Sequence, residues 1–277
     1  MLVPDEVRKC VVFVCYKDKD NIKLAGTAFF VSIPSVIEGK SYPYLVTARH
    51  VIEAIKKRSI DNKVYFRINQ KDNPTVLLPT DLNQWKYHPN LQNVDVAAAQ
   101  LAPDSSIYDF RTIPSSMAIT PEIITSKEVG CGDEVFLTGL FSNHYGQQRN
   151  IPIIRIGNIA CMPEEPVQTK ALGAIDAYLV EARSIGGLSG SPVFVHLAGV
   201  RKGSLTLGQE PIYWIGLMHG HFDLERLETD VVESDILMDI KVNMGIAIVV
   251  PVSKILEVLN QNEFAEARKK QDDSLKT

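Results

Sequence analysis

The chain is poor in everything that would mark a disulfide scaffold, a membrane protein or a nucleic-acid binder. It has only four cysteines in 277 residues: Cys10, Cys15, Cys131 and Cys161. Cys10 and Cys15 lie in one strand-like run on opposite faces, so they cannot easily bridge each other. No cysteine pair has metal-site spacing and no histidines cluster nearby, so all four are expected as reduced thiols. No long apolar run is present; Gly245 to Val252 is far too short to span a bilayer. The start, Met1-Leu2-Val3-Pro4-Asp5-Glu6, lacks the basic and apolar regions of a secretory signal. Excess charge is absent too: a net charge of -4 gives no reason to expect nucleic acid or an anionic membrane as partner. There is no glycine-rich phosphate loop and no metal-ligand set, so neither cofactor nor metal is expected. These absences leave a soluble, cytoplasmic globular protein.

What is present is a dense series of short strands. The apolar content of 45% is ordinary for a protein with a real core. In the first half the runs Lys9 to Tyr16, Gly26 to Ile33, Tyr44 to Ala48, Lys63 to Ile68, Thr75 to Leu78 and Val94 to Leu101 are rich in Val, Phe and Tyr. Asn, Asp, Gly and Pro bound them. His50 to Lys57 places Val51, Ile52 and Ile55 on one face of a short helix. The polar, proline-containing stretch Pro103 to Ser126 crosses to a second set: Glu134 to Leu140, Ile151 to Ala160, Ala177 to Glu181, Ser191 to His196, Ile212 to Met218 and Met244 to Val250.

Two groups of about six strands predict an all-β pair of barrels. The expected division is a first barrel over 1–105, a linker over 106–126 and a second barrel over 127–252. A C-terminal helix and tail fill 253–277. That helix, Val252 to Arg268, carries Ile255, Leu256, Val258, Leu259 and Phe264 among charges and is opened by Ser253; it is expected to pack on the second barrel and to fray into the charged end Lys269 to Thr277. Phe222 to Asp239 is dense in Asp and Glu and reads as a solvated surface insertion.

Three separated segments carry chemistry. Gly187-Leu188-Ser189-Gly190-Ser191-Pro192 sets a serine on a tight turn before an apolar strand. Such a turn leaves backbone N–H groups free to meet an oxygen that becomes negative. A serine hydroxyl needs a base to act as nucleophile, and His50 in Thr47-Ala48-Arg49-His50-Val51 fits that need. Asp95 in Val94-Asp95-Val96-Ala97 would fix the imidazole tautomer and stabilise its cation. The order His, Asp, Ser reverses that of the α/β-hydrolases, and Gly-Leu-Ser-Gly-Ser is not their Gly-x-Ser-x-Gly elbow.

On these residues the chain resembles the trypsin-like (chymotrypsin-fold) serine peptidases, especially the bacterial HtrA-type branch, here without a PDZ domain. Thr47 to Val51 matches the family's Thr-Ala-x-His-Val segment, and Asp95-Val96-Ala97 its Asp-[Ile/Val]-Ala strand. Gly187 to Pro192 matches Gly-x-Ser-Gly-[Gly/Ser]-Pro. Gly26 to Val31, Gly132 to Gly139, Ile215-Gly216-Leu217 and Gly245 to Ile248 resemble further strands of the family. The likeness covers roughly residues 9 to 260.

The resemblance implies two six-stranded antiparallel β-barrels of the chymotrypsin type followed by a C-terminal helix. It makes Ser189 the nucleophile, His50 the general base and Asp95 its orienting partner. The N–H groups of Gly187 and Ser189 would form the oxyanion hole, and the expected product is an acyl-enzyme. Protein or peptide substrates are implied, and a regulatory protein partner would fit a switched enzyme. The alternative is a non-catalytic pseudoprotease that uses the cleft for binding.

Leu188 stands where zymogen-type members carry an aspartate, and leucine cannot pair with a newly cut N-terminus. Loop order must then come from packing, substrate or a partner. His219 occupies a position where the family often has a serine near the triad aspartate. Arg183, His219, Gly220 and His221 are candidate substrate-binding residues, and their positive or protonatable groups suit an acidic residue before the scissile bond. His88-Pro89 reads as a structural turn and His196 as a structural residue. His144 lies in a polar cleft-edge loop, Ser142 to Asn150.

Overall fold

The computed structural model describes residues 2–276 except 20, 170–171, 183–186, 198–199, 202–203, 206–211 and 225–241. Arg183 and most of the acidic segment 222–239 therefore lie outside the described residues.

A short helix, α1 (Asp5–Lys9), leads into an eight-stranded antiparallel-rich sheet. Its strands are β1 (Val11–Asp18), β2 (Asn21–Pro34), β3 (Ser41–Thr47), β4 (Lys63–Ile68), β5 (Val76–Asp81), β6 (Lys86–Tyr87), β7 (Ala97–Gln100) and β8 (Ile113–Pro114). The path runs β5-β4-β1-β2-β3-β7-β6, with β8 joined in parallel to β2. The expected strands are all here, with β6 and β8 added, and this ladder does not close among the described residues. Val11 to Tyr16 is buried without alternation, with α2 (Arg49–Arg58) and the second half both packed against β1. Such two-sided burial selects a continuous apolar run rather than an alternating one.

The second half is a closed six-stranded barrel in the order β10-β13-β18-β17-β14-β9. Its strands are β9 (Glu134–Gly139), β10 (Ile153–Cys161), β13 (Tyr178–Glu181), β14 (Pro192–His196), β17 (Ile212–Leu224) and β18 (Val242–Pro251). Two small ribbons, β11 (Val167–Thr169) with β12 (Gly173–Ile175) and β15 (Val200–Arg201) with β16 (Ser204–Leu205), decorate it. The closed barrel, the half-barrel sheet and the terminal helices make a chymotrypsin-like arrangement of two β units.

The linker is more structured than a polar, proline-containing stretch predicts. It contains β8 and the helix α3 (Pro121–Lys127), capped by the Thr120 side chain with Pro121 in its first turn. Ile119 N–H donates to Trp214 O at 2.9 Å, which ties the linker to β17.

The C-terminal helix expected over Val252 to Arg268 is two helices. These are α4 (Val252–Leu259) and α5 (Asn262–Lys276), separated at Asn260 and Gln261. Only α4 packs on the second barrel. The charged end does not fray, because α5 crosses to the first sheet. There Phe264 meets Tyr44 edge-on at 5.0 Å, and the buried Asp272 accepts from Ser35 Oγ and from Tyr42 OH. Composition hid this, since a helix with two buried residues among fifteen looks solvated throughout.

Candidate active site

Strand register builds the site. β3 pairs with β7 so that Thr47 lies opposite Ala97. Continuing that antiparallel pairing two residues further brings Asp95 beside the start of α2, whose second residue is His50. The first N–H groups of a helix have no intrahelical acceptor, and the residue before α2 is Ala48, which has no side chain to cap them. Asp95 supplies the cap from a distant segment: His50 N–H donates to Asp95 Oδ1 at 2.8 Å. The positive end of the helix dipole favours the carboxylate there. Val94 to Val96 stay outside the expected strand because Asp95 turns to this helix end instead of continuing the ladder.

The same carboxylate orients the His50 ring, with Nδ1 2.6 Å from Asp95 Oδ2. A carboxylate only accepts, so Nδ1 carries the hydrogen and the Nε2 lone pair is left to act as base. Asp95 is fully buried, whereas the His50 side chain is 38% exposed. Burial alone would push the Asp95 carboxyl up. The charge of His50 and the hydrogen bonds from His219 and His50 outweigh this and hold it well below the usual carboxylate range. Burial likewise pulls His50 down, but the Asp95 charge and hydrogen bond overcome it and leave His50 above the ordinary imidazole value.

Ser189 arrives from the second barrel. β14 pairs with β17, and beyond Pro192 opposite Leu217 the ladder continues as Met218 N–H to Ser191 O and Gly190 N–H to Met218 O, both 2.8 Å. This brings Ser189 next to His219. Gly190 has φ +85°, and a Cβ there would stand 2.2 Å from Thr27 O, so only glycine lets the loop approach β2 so closely. Gly187 has φ +101°, and a Cβ there would meet Ser142 Oγ at 2.9 Å. Leu188 is fully buried, so packing anchors the loop where an ion pair is chemically unavailable.

Thr27, fully buried in β2, is the anchor that sequence reasoning missed. Its N–H donates to Ser189 O at 3.0 Å and its hydroxyl donates to Gly187 O at 2.7 Å. The same hydroxyl accepts Leu140 N–H at 2.9 Å, and Thr47 Oγ1 donates to Thr27 O at 2.6 Å. A threonine within a β-rich run looks like simple strand propensity, so only its place between Gly26 and an apolar stretch hinted at more.

The structure thus brings His50, Asp95, Ser189, Gly187 and His219 together. Among the described residues no hydrogen bond links His50 to Ser189. Instead Ser189 Oγ donates to the main-chain oxygen of His219 at 3.2 Å. The N–H groups of Gly187 and Ser189 meet no acceptor among the described residues. Gly220 and His221 follow on β17. His219 is buried, and its Nδ1 lies 2.5 Å from Asp95 Oδ2. This makes it a partner of Asp95 more directly than a wall of the cleft.

His50, Asp95 and His219 also offer three potential metal ligands within 4.8 Å of one another. Their 2.5 and 2.6 Å contacts are hydrogen-bond separations. Atoms bound to one tetrahedral zinc stand about 3.3 Å apart, so the set as found fits hydrogen bonding rather than a metal.

The remaining histidines take other places. His88 Nε2 contacts Glu257 of α4 at 2.6 Å, and His196 Nδ1 contacts Glu134 at 3.1 Å. His144 N–H closes a turn on Phe141 O. The loop carrying it docks on the first sheet, where Arg67 donates to Gln147 O at 2.7 Å and to Asn150 Oδ1 at 2.9 Å.

No family model matches the sequence, and a search of curated proteins finds no match. Solved structures do. The MamO protease domain from Magnetospirillum magneticum is 15% identical, covers 91% of this chain and 96% of its own, and superposes with a TM-score of 0.53. Deg5 is 13% identical over 91% of this chain and 88% of its own, with a TM-score of 0.49. Rv3671c from M. tuberculosis is 15% identical over 91% of this chain and 87% of its own, with a TM-score of 0.44. The first of these likenesses shows the fold, that of a chymotrypsin-type protease domain.

Proposed function

We propose that the chain is a serine endopeptidase in which Ser189 attacks the scissile carbonyl, His50 transfers the proton and Asp95 orients His50. The observation that carries this reading is the buried Asp95 carboxylate, which receives both the backbone N–H and the Nδ1–H of His50. That pairing leaves Nε2 as the free base on the ring of a partly exposed histidine. In the reaction the Ser189 hydroxyl turns to Nε2 and gives up its proton as the Oγ–carbon bond forms. The oxyanion takes hydrogen bonds from the N–H groups of Gly187 and Ser189, each worth roughly 3–4 kcal/mol in the transition state. The imidazolium then protonates the leaving amine, the carbon–nitrogen bond breaks, and water releases the acyl group by the reverse roles.

The substrate class is protein or peptide, with Gly220 and His221 along one side of the cleft and Arg183 as a further candidate, while the His219 ring is taken up by Asp95. A preference for an acidic residue before the scissile bond follows from those groups. Profiling on a peptide library tests it: enrichment of Asp or Glu is expected, and enrichment of Lys or Arg overturns it. Four free thiols, two of them buried, suit a reducing compartment such as the cytoplasm. No helix among the described residues is long and apolar enough to cross a membrane.

One observation favours a second reading. Ser189 bonded to His219 O rather than to His50 suits a site that is silent until a regulatory partner or substrate reorders it, or a non-catalytic scaffold. Hydrolysis of an unfolded protein substrate separates these. Turnover abolished by Ser189→Ala supports the peptidase, turnover only with a partner supports the switch, and no turnover under any condition supports the scaffold.

A further inference from the structure

Asp95 does not belong to His50 alone. Two imidazoles reach the same oxygen, Oδ2, each through Nδ1, at 2.6 Å from His50 and 2.5 Å from His219. The rings stand nearly perpendicular with centroids 5.5 Å apart. Because a carboxylate oxygen only accepts, both Nδ1 atoms must donate, so neutral His219 carries its hydrogen on Nδ1 as His50 does. With His50 N–H on Oδ1, the carboxylate then holds three donors. At the other end of the same residue, the His219 carbonyl accepts the Ser189 hydroxyl. One residue therefore touches the acid of the triad through its side chain and the nucleophile through its backbone.

We propose that His219 is a positioning residue coupled to His50 through the shared Asp95 oxygen, and that it holds the site at rest with the Ser189 hydroxyl turned away from His50. The proposal deepens the peptidase reading, but the coupling stands on the geometry alone. When His50 takes a proton, its imidazolium leans on an oxygen already shared with His219. One carboxylate compensates one cation. A second positive charge 5.5 Å away would be repelled across a partly buried space, so Asp95 compensates only one of the two rings at a time. Work begins when Ser189 turns about its Cα–Cβ bond, leaves the carbonyl and donates to His50 Nε2.

Among the described residues the charged and titratable neighbours are few. Asp95 faces both rings, while Arg49 and Glu53 on α2 act on His50. His221 lies two residues further along β17. β14 and β18 bring Pro192, Val249 and Ile248 opposite this stretch, none of them ionisable. Leu188, Gly190 and Ser191 of the nucleophile loop add no charge.

The test is a pH titration by NMR of the full chain with nitrogen-15 histidine, in the wild type, in His219→Gln and in His219→Leu. Glutamine keeps an N–H for Asp95, whereas leucine leaves Asp95 Oδ2 to His50 alone. Both imidazoles of the wild type are expected as Nδ1–H tautomers, and His219→Leu is expected to raise the midpoint at which His50 takes its proton, with His219→Gln close to the wild type. An unchanged His50 midpoint in His219→Leu overturns the proposal. Should the variant fail to fold, the wild-type spectrum alone decides, because an Nε2–H tautomer for His219 overturns it equally. A coupled titration in a protein that never cleaves a substrate supports the coupling and counts against the peptidase reading, so the two failures are distinct.

Discussion

At the level of single residues, the site depends on groups that cap or clamp rather than on the three reacting side chains alone. Asp95 caps the start of the helix that carries His50, so one carboxylate sets both the position of the ring and its tautomer. Asp95→Asn keeps the shape but presents an amide where two Nδ1–H donors need an acceptor; the expected loss in kcat is about 10⁴-fold. Thr27→Val removes the hydroxyl that holds Gly187 O and leaves Leu140 N–H without its acceptor. It is expected to lower kcat at least about tenfold with KM little changed, and Thr27→Ser to restore it; equal activity in all three forms would exclude the clamp.

The electrostatics predict a pH dependence with a definite sign. His50 is raised, so the acid limb of kcat/KM should lie above the free imidazole value of about 6.5. Its contribution to stability is full below that value and is lost as pH rises through the folded midpoint. Asp95 is depressed, so its contribution is present above about 3.9 and is lost only as pH falls below the usual carboxylate range. Chemical denaturation across pH 2–9 measures both. The three candidate residues stood out in the sequence because His50 follows an apolar run, Asp95 opens one and Ser189 sits on a turn before one. Thr27 did not, because its role depends on what lies across the interface.

Among the elements, the terminal helices show where amphipathicity informs and where it misleads. The apolar stripe of α4 correctly announces packing on the second barrel. α5 has so few apolar residues that its second half, from Lys269 on, reads as a fraying tail, yet the helix bridges to the first sheet through one aromatic and one buried carboxylate. Arg268 reinforces the same contact by donating to Tyr44 OH at 2.9 Å and to Leu259 O at 2.7 Å. Phe264→Ala should cost about 3 kcal/mol and lower Tm by several degrees, with activity retained at low temperature. Asp272→Ala should lower Tm in the same direction by stripping Ser35 and Tyr42 of their acceptor. Thermal unfolding followed by circular dichroism reads both.

Across the whole molecule, the two β units meet along the line that holds the site. Phe29 of β2 packs edge-on against Trp214 of β17 at 5.5 Å, and Thr27, two residues before Phe29, carries the nucleophile loop. The loop ending in Asn150 crosses the same boundary, where Asn150 Nδ2 donates to Arg67 O at 2.5 Å and Thr75 N–H donates to Gln148 O at 2.8 Å. Strand spacing made two β units and their order legible, and the resemblance of Thr47 to Val51 and Gly187 to Pro192 pointed to their type. The open first ladder and the docking of the loop were not legible, since both depend on pairings between residues far apart in the chain.

The proposed function makes Ser189 an activated nucleophile served by His50 and Asp95. A serine-directed phosphonate probe, read by intact mass and peptide mapping, measures this. One adduct on Ser189 is expected in the wild type, none in Ser189→Ala, and greatly slowed labelling in His50→Ala. Absence of an adduct on the wild type, alone or with a peptide occupying the cleft, would contradict it.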